Sequence, residues 1–434
     1  MLRARIRRVG LAAALTVGLV LAALTYVALT LVAGTGQDGD APAARSAARV
    51  SSSTPSAHDG DQNVGGVAIV DGKVTYSGAI KAPKPAGHHH RTSKKAAAPA
   101  RPSSVPTSSA TGTPALAREI GQLVITPLTG QRADASLLAR VRSGQVGGVI
   151  LFGDNIATTS QVKALADGLQ AAARAGGQPG LLIMTDQEGG TVRRLPSQPP
   201  TTSAAQMGVA GTAATQGAAT GAAMASLGLN VDLAPVADVP TTATNFLGTR
   251  AFGRSSPAVS RSACAFSAGL HQGGVASSLK HFPGLGRASG NTDGSAIAIQ
   301  VTQSQLAADL APYRRCANEP QTMVMVSNAS YSGLTGSVPA VVSPNTYALL
   351  RSTLGFGGAT ISDSLNAAAV NGVADLAVKA VAAGLDLQLW TSVAAAQQAY
   401  RQMLSATKSG SLSRTQVRQA AARVLQLKQS LGLA

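Results

Sequence analysis

The sequence predicts an α/β domain, a (β/α)8 TIM barrel, over residues 115–434, preceded by a transmembrane helix and a disordered linker. Three observations predict it. Eight apolar runs of strand length alternate with helical stretches in residues 115–434. Polar and charged residues gather at the C-terminal ends of those runs. The first 114 residues have a different character, an apolar run followed by a tract rich in Ala, Ser, Pro, Thr and Gly. Strands that alternate with helices imply a parallel sheet, near-continuous apolar strands fit burial on both faces, and eight such units make a barrel.

The N-terminus comes first in the chain. Arg3, Arg5, Arg7 and Arg8 precede an uncharged apolar run, Leu11 to Ala33, of 23 residues. A bilayer needs roughly 20 apolar residues in a helix, whereas a cleaved signal peptide has an apolar stretch of roughly 7–15. Residues 1–36 therefore read as a basic cytoplasmic tip and an uncleaved signal anchor, and the arginines leave the rest of the chain outside. No Cys follows the run to carry a lipid. Residues 37–114 have too few large apolar residues to form a core and read as a disordered spacer. One piece, Val64 to Ile80, has hairpin character around Asp71-Gly72. His88, His89 and His90 read as solvated linker residues rather than metal ligands.

The net charge of +17 invites a nucleic-acid reading. The excess is +8 over residues 1–114 and +9 over residues 115–434, with no basic helix or aromatic platform in the second part. A positive surface facing anionic lipid or wall polymer is the simpler account, and no nucleic-acid partner is expected. Hydrophobic residues make up 45% of the chain and aromatics only 3%, so the core must be built largely from small aliphatic side chains. No metal or organic cofactor is implied.

The eight runs are 123–128, 146–152, 180–186, 231–238, 274–282, 322–328, 358–363 and 385–390. Ala-rich amphipathic segments lie between them, such as residues 160–176 and 218–228. A doubly wound open sheet is the competing arrangement. It normally carries a glycine-rich phosphate turn after its first strand, and residues 123–134 (LVITPLTGQRAD) have none. Asp186, Asp238, Lys280, His281, Asn328 and Asp363 all fall at the C-terminal ends of their runs. In a barrel that is the face on which a site is built.

Specific motifs follow in order: IGQLVITPLTG (120–130), VGGVILFGDN (146–155), DQEGGTVRRL (186–195), LNVDLAPVADV (229–239), TRAFGRSS (249–256), KHFPGLG (280–286), LLRSTLGFGGATISDSL (349–365) and AVAAGLDLQLW (380–390). On these motifs the domain resembles glycoside hydrolase family 3, in its β-N-acetylhexosaminidase-like branch, along essentially all of residues 115–434. The resemblance implies that Asp363 is the nucleophile of a retaining glycosidase. It implies that Asp186, Arg194, Arg250, Lys280 and His281 bind the sugar. Glu188 reads as structural, Asp238 as a support for its neighbours, and His271 as a residue without a role.

The sequence departs from that branch in the loop after the fifth run, KHFPGLGRASGNTDGSAI (280–297). Leu285 stands where the branch has a His, and Ser295 stands where it has its acid/base His. A serine hydroxyl does not titrate near neutral pH and cannot take that role. Asp293, which matches the Asp of the branch's dyad, is the local substitute, provided that burial raises its pKa. Asn328 and Thr191 are further departures, at positions where the branch has His and Arg.

Two functions are thus expected. One is a retaining hydrolase of β-N-acetylglucosaminides of cell-wall origin, working through a covalent glycosyl-Asp intermediate with Asp363 and Asp293 as catalytic pair. The other is a catalytically impaired carbohydrate-binding pseudoenzyme of the cell envelope. A third, glucosidase-type specificity would bring a second domain that donates a Glu. The partners expected are an N-acetylglucosamine-containing glycan or muropeptide and, through the N-terminal helix, the cell membrane. Cys264 and Cys316 fall in the helices before the fifth and sixth runs. A disulfide is open to them if their Cα atoms lie within ~7 Å.

Overall fold

The structure, a computed structural model, describes residues 66–70, 73–77 and 113–434. The basic tip, the apolar run Leu11–Ala33, the His88–His90 cluster and most of the linker lie outside the described residues, and with them the transmembrane and disordered-linker expectations. Among the described residues, no helix is long and apolar enough to cross a membrane. Within the linker, Gly66–Val70 and Lys73–Ser77 pair antiparallel with Val70 opposite Lys73. That is the hairpin expected of Val64–Ile80.

The barrel strands are β1 (Val124–Pro127), β2 (Gly148–Ile150), β3 (Leu182–Thr185), β4 (Val231–Asp232), β5 (Ala276–Phe282), β6 (Thr322–Val326), β7 (Thr360–Ser362) and β8 (Gln388–Leu389). They lie side by side in sequence order from β1 to β7, and β8 pairs with β1; every pairing is parallel. A parallel bridge between Ile361 and Leu387 closes the ring between β7 and β8. It is reinforced by Ser362 N donating to Leu387 O at 2.9 Å and Leu387 N to Thr360 O at 2.9 Å. All eight predicted runs are thus found, in order, in one barrel.

Two runs are shorter as strands than expected. The fourth, read as 231–238, pairs regularly only at Val231–Asp232. Pro235 has no N–H to donate, so the ladder breaks there. Beyond it Val236 bridges Lys280, and Ala237 N reaches Lys280 O at 2.7 Å. The chain therefore still delivers Asp238 to the barrel mouth. The eighth run, 385–390, pairs with β1 only at Gln388–Leu389.

The outer helices begin at polar caps. Asp134 accepts from Leu137 N ahead of α1 (Ala135–Arg142), and Thr158 accepts from Gln161 N ahead of α2 (Thr159–Ala175). Each cap satisfies an otherwise orphaned N–H, worth typically ~1 kcal/mol. α2 buries Val162, Leu165, Ala166, Leu169, Ala172 and Ala173, the one-sided spacing of a helix laid on a sheet.

Small residues set the closest packing. α3 (Ala213–Ser226) meets α4 (Ser256–Gln272) through glycines on both sides. A Cβ on Gly217 would strike the carbonyl oxygen of Phe266. One on Gly269 would strike the carbonyl oxygen of Ala214 and lie 2.6 Å from the backbone nitrogen of Ala218. The abundance of Ala and Gly is therefore structural here, because backbone packs on backbone. α4 is also stapled to α5 (Ala311–Cys316): Cys264 and Cys316 form a disulfide with a Cα separation of 5.7 Å. The bond left open by the sequence is formed.

This packing makes a prediction whose sign opposes helix propensity. Gly→Ala in an exposed helix interior stabilises by up to ~1 kcal/mol. Gly269→Ala is expected instead to destabilise by ~1–3 kcal/mol, the usual cost of overpacking. Thermal or urea unfolding of the isolated domain measures it, and an unchanged or raised midpoint would contradict the close approach.

Candidate active site

The C-terminal ends of the strands surround a cavity of about 530 Å³. Its apolar wall is Ile150, Leu233, Met325 and Leu389. These residues lie on or directly after β2, β4, β6 and β8. Side chains of alternate strands share a layer in such a barrel, so the even strands supply this one. The odd strands supply the chemistry above it: Asp186 directly follows β3, Lys280 and His281 lie in β5, and Asp363 directly follows β7. The Lys280–His281 peptide is cis, and both side chains line the cavity.

All seven residues to which the sequence assigns catalysis or sugar binding line this one cavity, Asp186, Arg194, Arg250, Lys280, His281, Asp293 and Asp363; Asp238 and Asn328, at the ends of the fourth and sixth runs, do not. Glu188, read as merely structural, lines it too. It sits on a short antiparallel pairing, Gln187–Gly189 with Val192–Arg193, which directs both Glu188 and Arg194 inward.

A buried ion cluster organises these groups. Lys280 Nζ lies 2.8 Å from Asp186 Oδ1 and 2.6 Å from Glu188 Oε1. Arg250 grips Glu188 with two bonds, Nε to Oε2 at 2.7 Å and Nη2 to Oε1 at 2.8 Å. Burial alone would neutralise these groups, but the opposite charges outweigh it. Burial pushes the Glu188 carboxyl up, yet Lys280 and Arg250 bring it down to about 2. Burial likewise works against charged Lys280 and Arg250, and the carboxylates hold both above their ordinary values. Glu188, Lys280 and Arg250 are therefore charged throughout the neutral range.

A second pair orients His281. Asp238 is fully buried; its Oδ2 lies 2.8 Å from His281 Nδ1, and its Oδ1 accepts from the backbone N–H of His281 at 3.0 Å and of Leu285 at 2.7 Å. With Nδ1 bound to the carboxylate, Nε2 is left for the cavity. Asp238 thus positions His281 and the start of the loop after β5, the supporting role expected of it. His271 lies away from the cavity against Ser277 Oγ at 3.0 Å, and burial lowers it to about 4.

Asp363 is half-buried, and its backbone N donates to Val326 O at 2.9 Å. Burial raises its carboxyl. The charges of His281 and Lys280 and the Ser364 N–H pull it down again, while nearby Asp293 pushes it up. Asp293 itself is exposed. Its Oδ2 accepts from Asn291 Nδ2 at 3.0 Å, and its backbone N–H donates to Asn291 Oδ1 at 3.1 Å. The burial that sequence reasoning required of a proton donor is not present in this conformation. Ser295 and Thr191 are also exposed, and neither lines the cavity.

A further buried acid borders the site. Asp232, at the end of β4, is fully buried, and its Oδ1 accepts from Gln187 N at 2.9 Å. It thereby fixes the segment that carries Asp186 and Glu188. Burial pushes it up to about 8, partly offset by the Gln187 N–H and by Lys280. Its only signal in the sequence is a charged residue inside an apolar run.

Comparisons with known proteins agree with this geometry. Residues 115–427 match the sequence profile of the glycosyl hydrolase family 3 N-terminal domain. An "uncharacterized secreted glycosyl hydrolase" of Arthroderma benhamiae is 34% identical over 335 residues, 73% of this chain and 94% of that one. The "beta-hexosaminidase LpqI" of Mycobacterium tuberculosis is 32% identical over 352 residues, 76% of this chain and 89% of that one. A solved family 3 β-N-acetylglucosaminidase of Paenibacillus sp. str. FPU-7 superposes with a TM-score of 0.70 at 30% identity, covering 73% of this chain. The match spans 63% of the Paenibacillus chain, less than two thirds of its length.

Asp232 makes a pH prediction. A folded-state pKa of about 8, against an ordinary value of 3.8, means the folded protein keeps a proton that the unfolded chain has lost. Its stabilising contribution is full below about pH 4 and is lost as pH rises through 8, by at most ~1.4 kcal/mol per unit. Asp232→Asn removes that titration. Its Tm relative to wild type is expected to rise between pH 5 and pH 8. A difference independent of pH would show that Asp232 is ionised when folded.

Proposed function

The chain belongs to glycosyl hydrolase family 3, a glycosidase family, and we propose that it hydrolyses β-N-acetylglucosaminides of cell-wall origin with retention of configuration. The observation that carries the proposal is the cavity that Asp363 shares with the hydrogen-bonded cluster of Asp186, Glu188, Arg250 and Lys280. The relatives named for hexosaminidase or N-acetylglucosaminidase activity support the choice of sugar.

In the first step a carboxylate oxygen of Asp363 forms a bond to the anomeric carbon as the bond from that carbon to the leaving oxygen breaks. A proton passes to the leaving oxygen. In the second step water attacks the anomeric carbon, its proton goes to the base, and Asp363 is released. Lys280, Arg194 and Arg250 donate to sugar hydroxyls and to the N-acetyl carbonyl, Asp186 accepts from a hydroxyl, and His281 offers Nε2. Asp293 is the proton donor and base. It lines the same cavity as Asp363, on the loop after β5.

The N-terminal apolar run holds the domain outside the cytoplasm, with residues 37–114 as spacer. The disulfide between Cys264 and Cys316 supports an oxidising compartment.

A second reading, a carbohydrate binder with impaired turnover, is favoured by one observation: Asp293 and Ser295 are both exposed. Kinetics with N-acetylglucosaminides separates the two. Asp363→Asn is expected to abolish turnover. Asp293→Asn is expected to slow sugar leaving groups by ~10²–10⁴-fold, and nitrophenyl leaving groups far less, because general acid assistance matters least for a good leaving group. Wild-type turnover no faster than that of Asp363→Asn would leave the binding reading standing.

A further inference from the structure

A pocket of about 270 Å³ lies on the outer wall of the barrel and shares no residue with the cavity around Asp363. It forms where the last barrel unit meets the first. β8 pairs with β1, so the helices that follow those strands come side by side outside the sheet. They are α1 and α6 (Val393–Ser409). Ser136 and Arg140 stand four positions apart on α1, and Gln397, Tyr400 and Arg401 stand three and four positions apart on α6. Such spacings put each set on one face of its helix. The pocket lies between the two sets, and Gln145, just after α1, completes its polar lining.

These six polar side chains have nothing in the protein to bind. Among the described residues, none of them makes a side-chain hydrogen bond or an ion pair. The Nε of Arg140 is fully shielded from solvent and has no acceptor. Burial works against the charge of Arg140, and the exposed carboxylate of Asp134 offsets part of that cost. Asp134 is committed elsewhere, since its Oδ1 accepts from Leu137 N at 2.6 Å at the start of α1. No carboxylate lines the pocket. Two guanidiniums therefore face a space that holds no counter-charge. A buried donor without a partner costs free energy, so an occupant that accepts hydrogen bonds and carries negative charge is favoured.

We propose that this pocket is a binding site for a phosphate group. Guanidinium donors match phosphate oxygens in paired bonds. A flat carboxylate would use one guanidinium edge and leave the remaining donors unmet. A tetrahedral phosphate turns its oxygens in several directions, toward Arg140, Arg401 and the hydroxyl and amide donors of Ser136, Tyr400, Gln145 and Gln397. The open side, where Arg401 is exposed, leaves room for groups esterified to the phosphate. An occupant there leaves the barrel mouth free, so the site holds the domain to a phosphate source without blocking the cavity around Asp363.

Calorimetric titration of the full-length chain at constant ionic strength tests this. The probes are inorganic phosphate, glycerol 3-phosphate and dispersed dihexanoyl phosphatidylglycerol. At least one is expected to bind with a Kd of ~1 mM or tighter, as two charge-assisted contacts support. Arg140→Gln and Arg401→Gln are each expected to weaken that binding at least about tenfold. Arg401 is exposed, so its replacement is expected to leave the Tm without phosphate unchanged, which keeps the test valid if Arg140→Gln misfolds. Tightest binding of inorganic phosphate assigns the site to the free ion, and tightest binding of an ester assigns it to a phosphate-bearing molecule; both support the proposal. Failure of all three probes to bind, or equal binding of chloride, would overturn it. So would binding that Arg401→Gln leaves intact, since that signal belongs to the cationic barrel mouth.

Discussion

Lys280 Nζ, buried between Asp186 Oδ1 at 2.8 Å and Glu188 Oε1 at 2.6 Å, is the contact on which the barrel mouth depends. Removing one partner of such a buried pair leaves an uncompensated charge, which is far costlier than the pair itself. Lys280 comes from β5, Asp186 and Glu188 from the turn after β3, and Arg250 from the long connection after β4. One network therefore locks three connections into a single arrangement. Asp232 reinforces it from below by holding Gln187 N at 2.9 Å.

The barrel explains why these residues can meet. Even strands place Ile150, Leu233, Met325 and Leu389 in one apolar layer, and odd strands raise Asp186, Lys280 and Asp363 above it. The nucleophile candidate thus shares its cavity with Lys280 and with that apolar layer. Burial keeps the Asp363 carboxyl above its ordinary value, and the charges of His281 and Lys280 restrain the rise.

Much of this was legible in the sequence. Periodic alternation gave eight runs, and all eight became strands, because apolar burial on both faces is a local and strong signal. Four of the six residues at the ends of those runs, Asp186, Lys280, His281 and Asp363, converge on one cavity for the same topological reason, while Asp238 is buried behind His281 and Asn328 lies outside that cavity. Other features were not legible. Glu188 looked structural because its partners, Arg250 and Lys280, are remote in sequence and are joined only by the barrel. Asp232 sat inside an apolar run, where nothing local announces a protonated acid. The disulfide needed the 5.7 Å separation that only packed helices provide. The burial required of Asp293 was an expectation about a loop, and the loop leaves that side chain in solvent.

The central claim is that Asp363 attacks the anomeric carbon in a site built around Lys280. Reaction with a 5-fluoro-N-acetylglucosaminyl fluoride, which slows the second step more than the first, followed by peptide mass mapping, tests it most directly. The account predicts one sugar adduct on the peptide that carries Asp363, absent in Asp363→Asn. An adduct on another carboxylate, or reagent consumed equally well by Asp363→Asn, would contradict it.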